Sequence, residues 1–385
     1  MAGAITTSQP VRSIYAHVPF CHTVCGYCDF YSIVYDRDAV HPLVDALCAE
    51  LRAYADRLDT CAETLFVGGG TPTTLPPGEL GRLLAALHDL TEPAAELEFT
   101  VEANPATVSE RTAEALRSNG VNRISLGAQS FDSSELRVLE RIHRPEQVQQ
   151  TVQIARRAGI AQVNLDLIFA VPGQSLESWL ANLRRAVDLG PDHLSCYALT
   201  YEEGTPLFDQ LRAGQVRRAD EALEAEMYEA TIDTLAAAGF SQYEISNFAR
   251  PGCECRHNLT YWHNRPYLGV GPSASGFVDN VRYKNVPDAA QYAAVVRVGR
   301  SPRVFEERRS LDQQARETAM LELRLRSGLD RAAFRERYGR DALEFFREAV
   351  ETHRADGLLE VDEGRIALTR AGLLVADTVI ADFVS

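Results

Sequence analysis

Positive charge is scarce in this chain, and lysine is almost absent. Among its 385 residues, 39 Lys and Arg face 54 Asp and Glu, giving a net charge of −15, and Lys284 is the only lysine. Nucleic-acid binding is driven by concentrated Lys and Arg, so that class of function is disfavoured. No uninterrupted apolar run reaches the length needed to span a bilayer. The stretch from Met1 to Arg12 has neither the basic start nor the apolar segment of a secretory signal. These absences predict a cytoplasmic protein. Thiols stay reduced in that compartment, so clustered cysteines are read as metal-binding or catalytic before disulfide-forming.

An apolar content of 45% supports a large core, and the length predicts two or three domains. From residue 14 to about 245, short β-rich runs alternate with amphipathic helical runs. The strands are read as Ile14–Val18, Thr64–Val67, Leu97–Val101, Arg123–Leu126, Gln162–Ile168 and His193–Ala198. Helices are read as Val40–Arg57, Leu80–Leu90, Glu110–Ser118, Pro145–Arg157 and Leu176–Leu189. Near-continuous apolar strands in β-then-α order predict an α/β fold, with a parallel sheet and helices outside it. The chemistry of such folds sits on the loops after the strands.

The character changes after Phe248. Pro251 to Gly276 is rich in Pro, Gly, Cys and Asn and reads as an ordered functional loop inside a connecting segment, 246–308. Residues 309–385 show helical runs and a hairpin, Leu358–Val361 and Arg365–Leu368 around Asp362-Glu363-Gly364, as in a winged-helix module. DNA binding would need a basic surface, yet residues 310–385 hold 11 Arg against 15 Asp and Glu. A packing or partner-docking role is the better reading.

Cys21-His-Thr-Val-Cys25-Gly-Tyr-Cys28 follows the first strand. Three thiolates within eight residues can wrap one compact metal centre, and on a four-iron cubane they leave one iron open for a small molecule. The spacing differs from ferredoxin runs, where a fourth cysteine closes the cluster. A structural zinc site completed by His22 or His17 is the alternative, although only Cys25 and Cys28 show the paired spacing usual for zinc.

With Tyr27 before its last cysteine, and Gly68-Gly69-Gly70-Thr71-Pro72 after the second strand, this motif resembles the radical S-adenosylmethionine (SAM) superfamily. The resemblance is closest to the coproporphyrinogen dehydrogenase branch and runs from about Ser13 to Phe383. Dehydrogenases of that branch carry a further cysteine two residues after the third ligand, where this chain has Phe30. They also have a long N-terminal extension, whereas 20 residues precede Cys21 here. His257-Asn258-Leu259-Thr260-Tyr261-Trp262, Tyr243 to Phe248 and Gly269 to Ala274 are similar to the HemW-type haem chaperones of the same branch.

The resemblance implies a partial (β/α)6 barrel over residues 1–245 with a C-terminal winged-helix-like domain. It implies a [4Fe–4S] cluster on Cys21, Cys25 and Cys28, and SAM held by Tyr15, Tyr27, Gly69, Gly70, Thr71, Glu102, Gln129, Arg141 and Asp166. Read from their surroundings alone, Glu102 could cap a helix, Arg141 could be a solvated charge, and Tyr15 could be core. A carboxylate such as Asp166 on an otherwise apolar strand is costly unless it is paired, which favours a ligand role. Haem is implied as a further ligand, with His257 as a candidate axial ligand and Cys253 or Cys255 as alternatives; tethering of an irregular loop is the other reading of His257. The implied partner is a haem-acceptor protein, at the membrane as one option. Coproporphyrinogen dehydrogenase activity is not expected.

Overall fold

The computed structural model describes residues 11–55, 62–90 and 96–384. Its centre is six strands: β1 (Ser13–Val18), β2 (Thr64–Gly69), β3 (Glu98–Ala103), β4 (Arg123–Gln129), β5 (Gln162–Phe169) and β6 (His193–Ala198). They lie side by side in chain order, each parallel to the next. Helices Arg37–Tyr54, Pro77–Asp89, Glu110–Ser118, Pro145–Arg157 and Leu176–Asp188 make the crossovers. Two of these start earlier than apolar periodicity predicts, because polar caps and proline belong to the first turn. Asp36 accepts from the Asp38 N–H ahead of the first helix, and Pro77 opens the second. Arg57, read as the end of the first helix, lies outside the described residues.

The strands alternate more strictly than the apolar reading predicts. Ile14, Ala16 and Val18 of β1 and Val163, Leu165 and Leu167 of β5 are buried in the core under the helices. The residues between them face inward and form a polar layer held by hydrogen bonds. Asn164 donates to Ser125 at 2.7 Å, Ser125 to Asp166 at 2.9 Å, and His193 Nδ1 pairs with Asn164 at 2.7 Å. Buried polar groups are tolerated when paired in this way.

The segment 246–308 does more than connect. Leu268–Val270 extends the sheet beside β1 in parallel, and Asn247–Ala249 extends it beside β6 in antiparallel. Between them, helix Arg256–Trp262 closes the end of the barrel where the strands begin. The Glu98 carboxylate, at the start of β3, accepts from the Arg256 and His257 N–H groups at 2.8 and 3.0 Å and from the Cys255 thiol at 3.6 Å. A carboxylate there satisfies the free N–H groups of the helix and complements its dipole. This helix has seven residues, and the strands around it have three or four. They are too short for a hydrophobic period to register, so the sequence reads as loop.

Beyond it, helices Leu311–Glu322, Arg331–Tyr338 and Arg347–Ala355 precede the hairpin Leu359–Val361 and Arg365–Leu368, whose second strand also pairs with Leu329–Asp330. The arrangement is winged-helix-like, as expected. This domain packs beneath the floor helix: Asn264 donates to Thr318 at 3.0 Å, and the Arg324 guanidinium lies 5.1 Å from the Trp262 ring centroid.

Glu98→Ala should leave the floor helix uncapped inside the protein and lower unfolding stability by about 3 kcal/mol. Urea denaturation measures this, and a wild-type midpoint with wild-type slope would show that the floor is held in another way.

Candidate functional site

The opposite end of the barrel, where the strands finish, is open. The chain leaves β1 through Pro19 and makes a loop that returns to pair Phe20–Cys21 with Ile33–Val34. This loop carries Cys21, Cys25 and Cys28. It is tied down by the Tyr35 N–H to the Cys21 carbonyl at 2.8 Å and by the Leu207 N–H to the Gly26 carbonyl at 2.8 Å. His17, pointing inward from β1, braces it from below with Nε2 on the Tyr31 carbonyl at 2.9 Å.

Beside the loop, β2 ends in Gly68, Gly69 and Gly70. Gly69 has φ +114°, and a Cβ there would meet the His17 ring at 2.7 Å, so only glycine fits. Its N–H donates to the Glu102 carboxylate at 3.0 Å, and Thr71 Oγ1 lies 3.5 Å from Cys21 Sγ. From β4, the carbonyl of Gly127 accepts from Arg141 Nη2 at 2.7 Å, while Arg141 Nη1 reaches Cys25 Sγ at 3.5 Å. Gln129 takes a left-handed φ of 62° at a register shift between β4 and β5, which folds its amide toward Gly127. Arg141 is therefore not a solvated helix charge; it is half-buried against the cysteine loop.

These groups line a cavity of about 390 Å³, a size that suits a cofactor-like ligand. Cys21, Cys25, Cys28, Tyr27, Gly69, Gly70, Thr71, Glu102, Gln129, Arg141 and Asp166 all border it. Sequence reasoning missed Ser125, Thr107, Ile142 and Tyr197, which border it too. Ser125 lies across from Asn164 and reaches Asp166 only through its side chain, and Ile142 carries no local signal.

Two residues named from the sequence lie elsewhere. Tyr15 is one layer deeper, half-buried, with its hydroxyl 3.0 Å from His17 Nδ1, and does not border the cavity. It braces His17, which braces the cysteine loop. His257 is at the floor, completely buried, with Nδ1 2.8 Å from Thr64 Oγ1 and Nε2 2.8 Å from the Tyr261 hydroxyl. Its ring stacks on Phe66 at 5.0 Å, and burial lowers its pKa to about 3. In this arrangement neither nitrogen is open to a haem iron, and ligation by His257 would require the floor helix to leave the barrel. Cys255 is buried against Glu98, which closes that alternative in the same way.

The residues at the mouth fit the cofactors that the motif implies. Among the described residues, no three His, Cys, Asp or Glu converge on one point as a single zinc ion demands. Three separate thiols around a cavity suit a cubane, where each holds its own iron. Burial pushes the Cys21 and Cys28 thiols up, Cys28 to about 11, so they become thiolates through metal binding. Arg141 Nε is buried without a hydrogen-bond partner. Burial, reinforced by the neighbouring Asp166, raises the Glu102 carboxyl to about 8 despite the Gly69 N–H. A donor from a bound amino acid or ribose would suit that carboxylate.

A mouth of this kind, on a parallel barrel of this order, defines the radical SAM class. The model of the radical SAM superfamily matches residues 15–186, and that of the HemN C-terminal domain matches residues 310–375. The chain is 34% identical to "Heme chaperone HemW" of Bacillus subtilis (strain 168), covering 97% of this chain and 99% of that protein. It is 39% identical to the protein of the same name from Mycobacterium tuberculosis (strain ATCC 25618 / H37Rv), covering 95% and 93%. Among solved structures, the radical SAM enzyme coproporphyrinogen III oxidase (HemN) from Escherichia coli superposes with a TM-score of 0.85 at 24% identity, over 99% of this chain and 92% of that one. This chain belongs to the HemW family of the radical SAM superfamily.

Glu102 gives a prediction for the protein without its cofactors. A carboxyl raised from 4.5 to about 8 binds a proton in the folded state that the unfolded state has lost, so stability falls as pH rises from about 5 to 8. Glu102→Gln should flatten that decline by about 3 to 4 kcal/mol, read from urea unfolding at several pH values. Parallel wild-type and variant curves would refute the assignment.

Proposed function

We propose that this chain is a haem chaperone, which binds haem and passes it to an acceptor protein, with a [4Fe–4S] cluster and SAM at the barrel mouth. The observation that carries the reading is the nearly full-length likeness to proteins named heme chaperones. Phe30, at the position where the dehydrogenases carry a further cysteine, supports it.

Cys21, Cys25 and Cys28 would hold three irons of the cluster. Tyr27, Gly69, Gly70, Thr71, Glu102, Gln129, Arg141 and Asp166 would surround the SAM. The cluster and SAM together supply one-electron chemistry at the sulfonium when bound. The chain's own residues do the rest. Arg141 places a guanidinium against the Cys25 sulfur, where it offsets thiolate charge. Ser125 and Asn164 fix Asp166 at 2.9 and 2.8 Å, so its carboxylate faces the cavity in one orientation. Glu102 turns its other oxygen toward whatever donor the ligand offers.

The fold is shared with a coproporphyrinogen oxidase, so radical oxidative decarboxylation is the second reading, and Phe30 counts against it. Two measurements separate them. Cluster-reconstituted protein under reducing, SAM-saturated conditions should bind haem and should leave coproporphyrinogen III unchanged. Formation of protoporphyrinogen IX would overturn the chaperone assignment. Saturating SAM should also alter the EPR spectrum of the reduced cluster, because three cysteines leave one iron open; an unaltered spectrum would sink the cofactor assignment.

A further inference from the structure

The mouth of the barrel carries more apolar surface than a SAM site needs. Val24 and Phe30 from the cysteine loop, Ile142 from the turn after Arg141, and Tyr197 from the end of β6 are 37%, 69%, 49% and 41% exposed. All four border the cofactor cavity. They come from three separate parts of the chain and meet at one opening, where large exposed apolar side chains indicate a binding surface.

A second cavity of about 290 Å³ adjoins the first. The two share Ala198, Leu199 and Thr200 as a common wall. The annex contains Arg218, whose guanidinium lies 4.8 Å above the Tyr201 ring. Among the described residues Arg218 forms no salt bridge within 4.0 Å. The Tyr201 hydroxyl beneath is buried with no hydrogen-bond partner, an unfavourable state for a polar group. Glu202 and Glu224 are the acidic groups that border the same annex. Burial raises the Glu224 carboxyl above its ordinary value, and the neighbouring Arg218 lowers it.

We propose that haem is received at this mouth, with its tetrapyrrole face on Val24, Phe30, Ile142 and Tyr197 and a propionate directed into the annex toward Arg218. The inference rests on haem being the cargo and adds where it binds. A flat apolar macrocycle matches the rim, a carboxylate matches an arginine that forms no salt bridge within 4.0 Å among the described residues, and Ala198, Leu199 and Thr200 border both cavities. A planar guanidinium is the usual partner of a carboxylate. Phe30 is open to substitution because its backbone, not its ring, serves the Cys28 sulfur.

The test is haem titration, followed by Soret absorbance, of cluster-reconstituted full-length protein as wild type, Phe30→Asp and Arg218→Ala. Haem dimethyl ester serves as a second probe. Cluster iron and SAM binding are measured on every sample. Phe30→Asp should weaken haem about tenfold, and Arg218→Ala should weaken haem several-fold while leaving the ester unaffected. Should Phe30→Asp lose its cluster, Phe30→Ser and the Arg218 arm carry the test. Variants with full clusters that bind haem as the wild type does would overturn the mouth assignment alone. A wild type that binds no haem would overturn the chaperone reading itself.

Discussion

Hydrogen bonding inside the barrel is the constraint on which the rest of the structure depends. Six strands put apolar residues under the helices and polar ones inward, so the interior must pair Ser125, Asn164, Asp166 and His193 among themselves. Such a layer needs one closed end, where water is kept out, and one open end, where carboxylates can meet a ligand. Glu98 closes the first by capping the floor helix. The glycines at the end of β2 open the second by letting the chain turn away from the axis beside Glu102. Floor and mouth are thus two solutions to the same accounting of buried polar groups.

That view separates the two motifs that stand out in the sequence. The cysteines lie at the ends of the strands, where the cavity is. His257 to Trp262 lies at their beginnings, where His257 bonds Thr64 and Tyr261 and Trp262 lies against Arg324 of the C-terminal domain. One motif borders the cavity, and the other joins the barrel to the domain beneath it. Both are costly to alter, for different physical reasons.

Much of this was legible from the sequence. All six strands fall where β-rich runs are read, and Glu110–Ser118 and Pro145–Arg157 match to the residue. The cysteines sit on the loop after a parallel strand, where the rule for such folds puts chemistry, and Glu102 and Asp166, on the strands themselves, border the same cavity together with Arg141. Illegible were features set by distant contacts. Tyr15 shares the inward face of its strand with the site but stops one layer short, which no local pattern reveals. His257 reads as a free ligand until Thr64, 193 residues away, claims its Nδ1. The annex around Arg218 and Tyr201 has no motif at all and exists only because the chain after β6 folds back against the mouth.

In the proposed arrangement cluster, SAM and haem share one end of the barrel, opposite the structural floor helix. The most direct measurement is the magnetic interaction between paramagnetic high-spin ferrous haem and the reduced cluster in haem-loaded protein under the reductant that reduces both, read from the relaxation of the cluster EPR signal. Haem at the mouth predicts strong broadening and faster relaxation than in a sample loaded with a diamagnetic zinc porphyrin. Stoichiometric haem with a cluster signal identical in the two samples would place the haem away from the mouth and contradict the account.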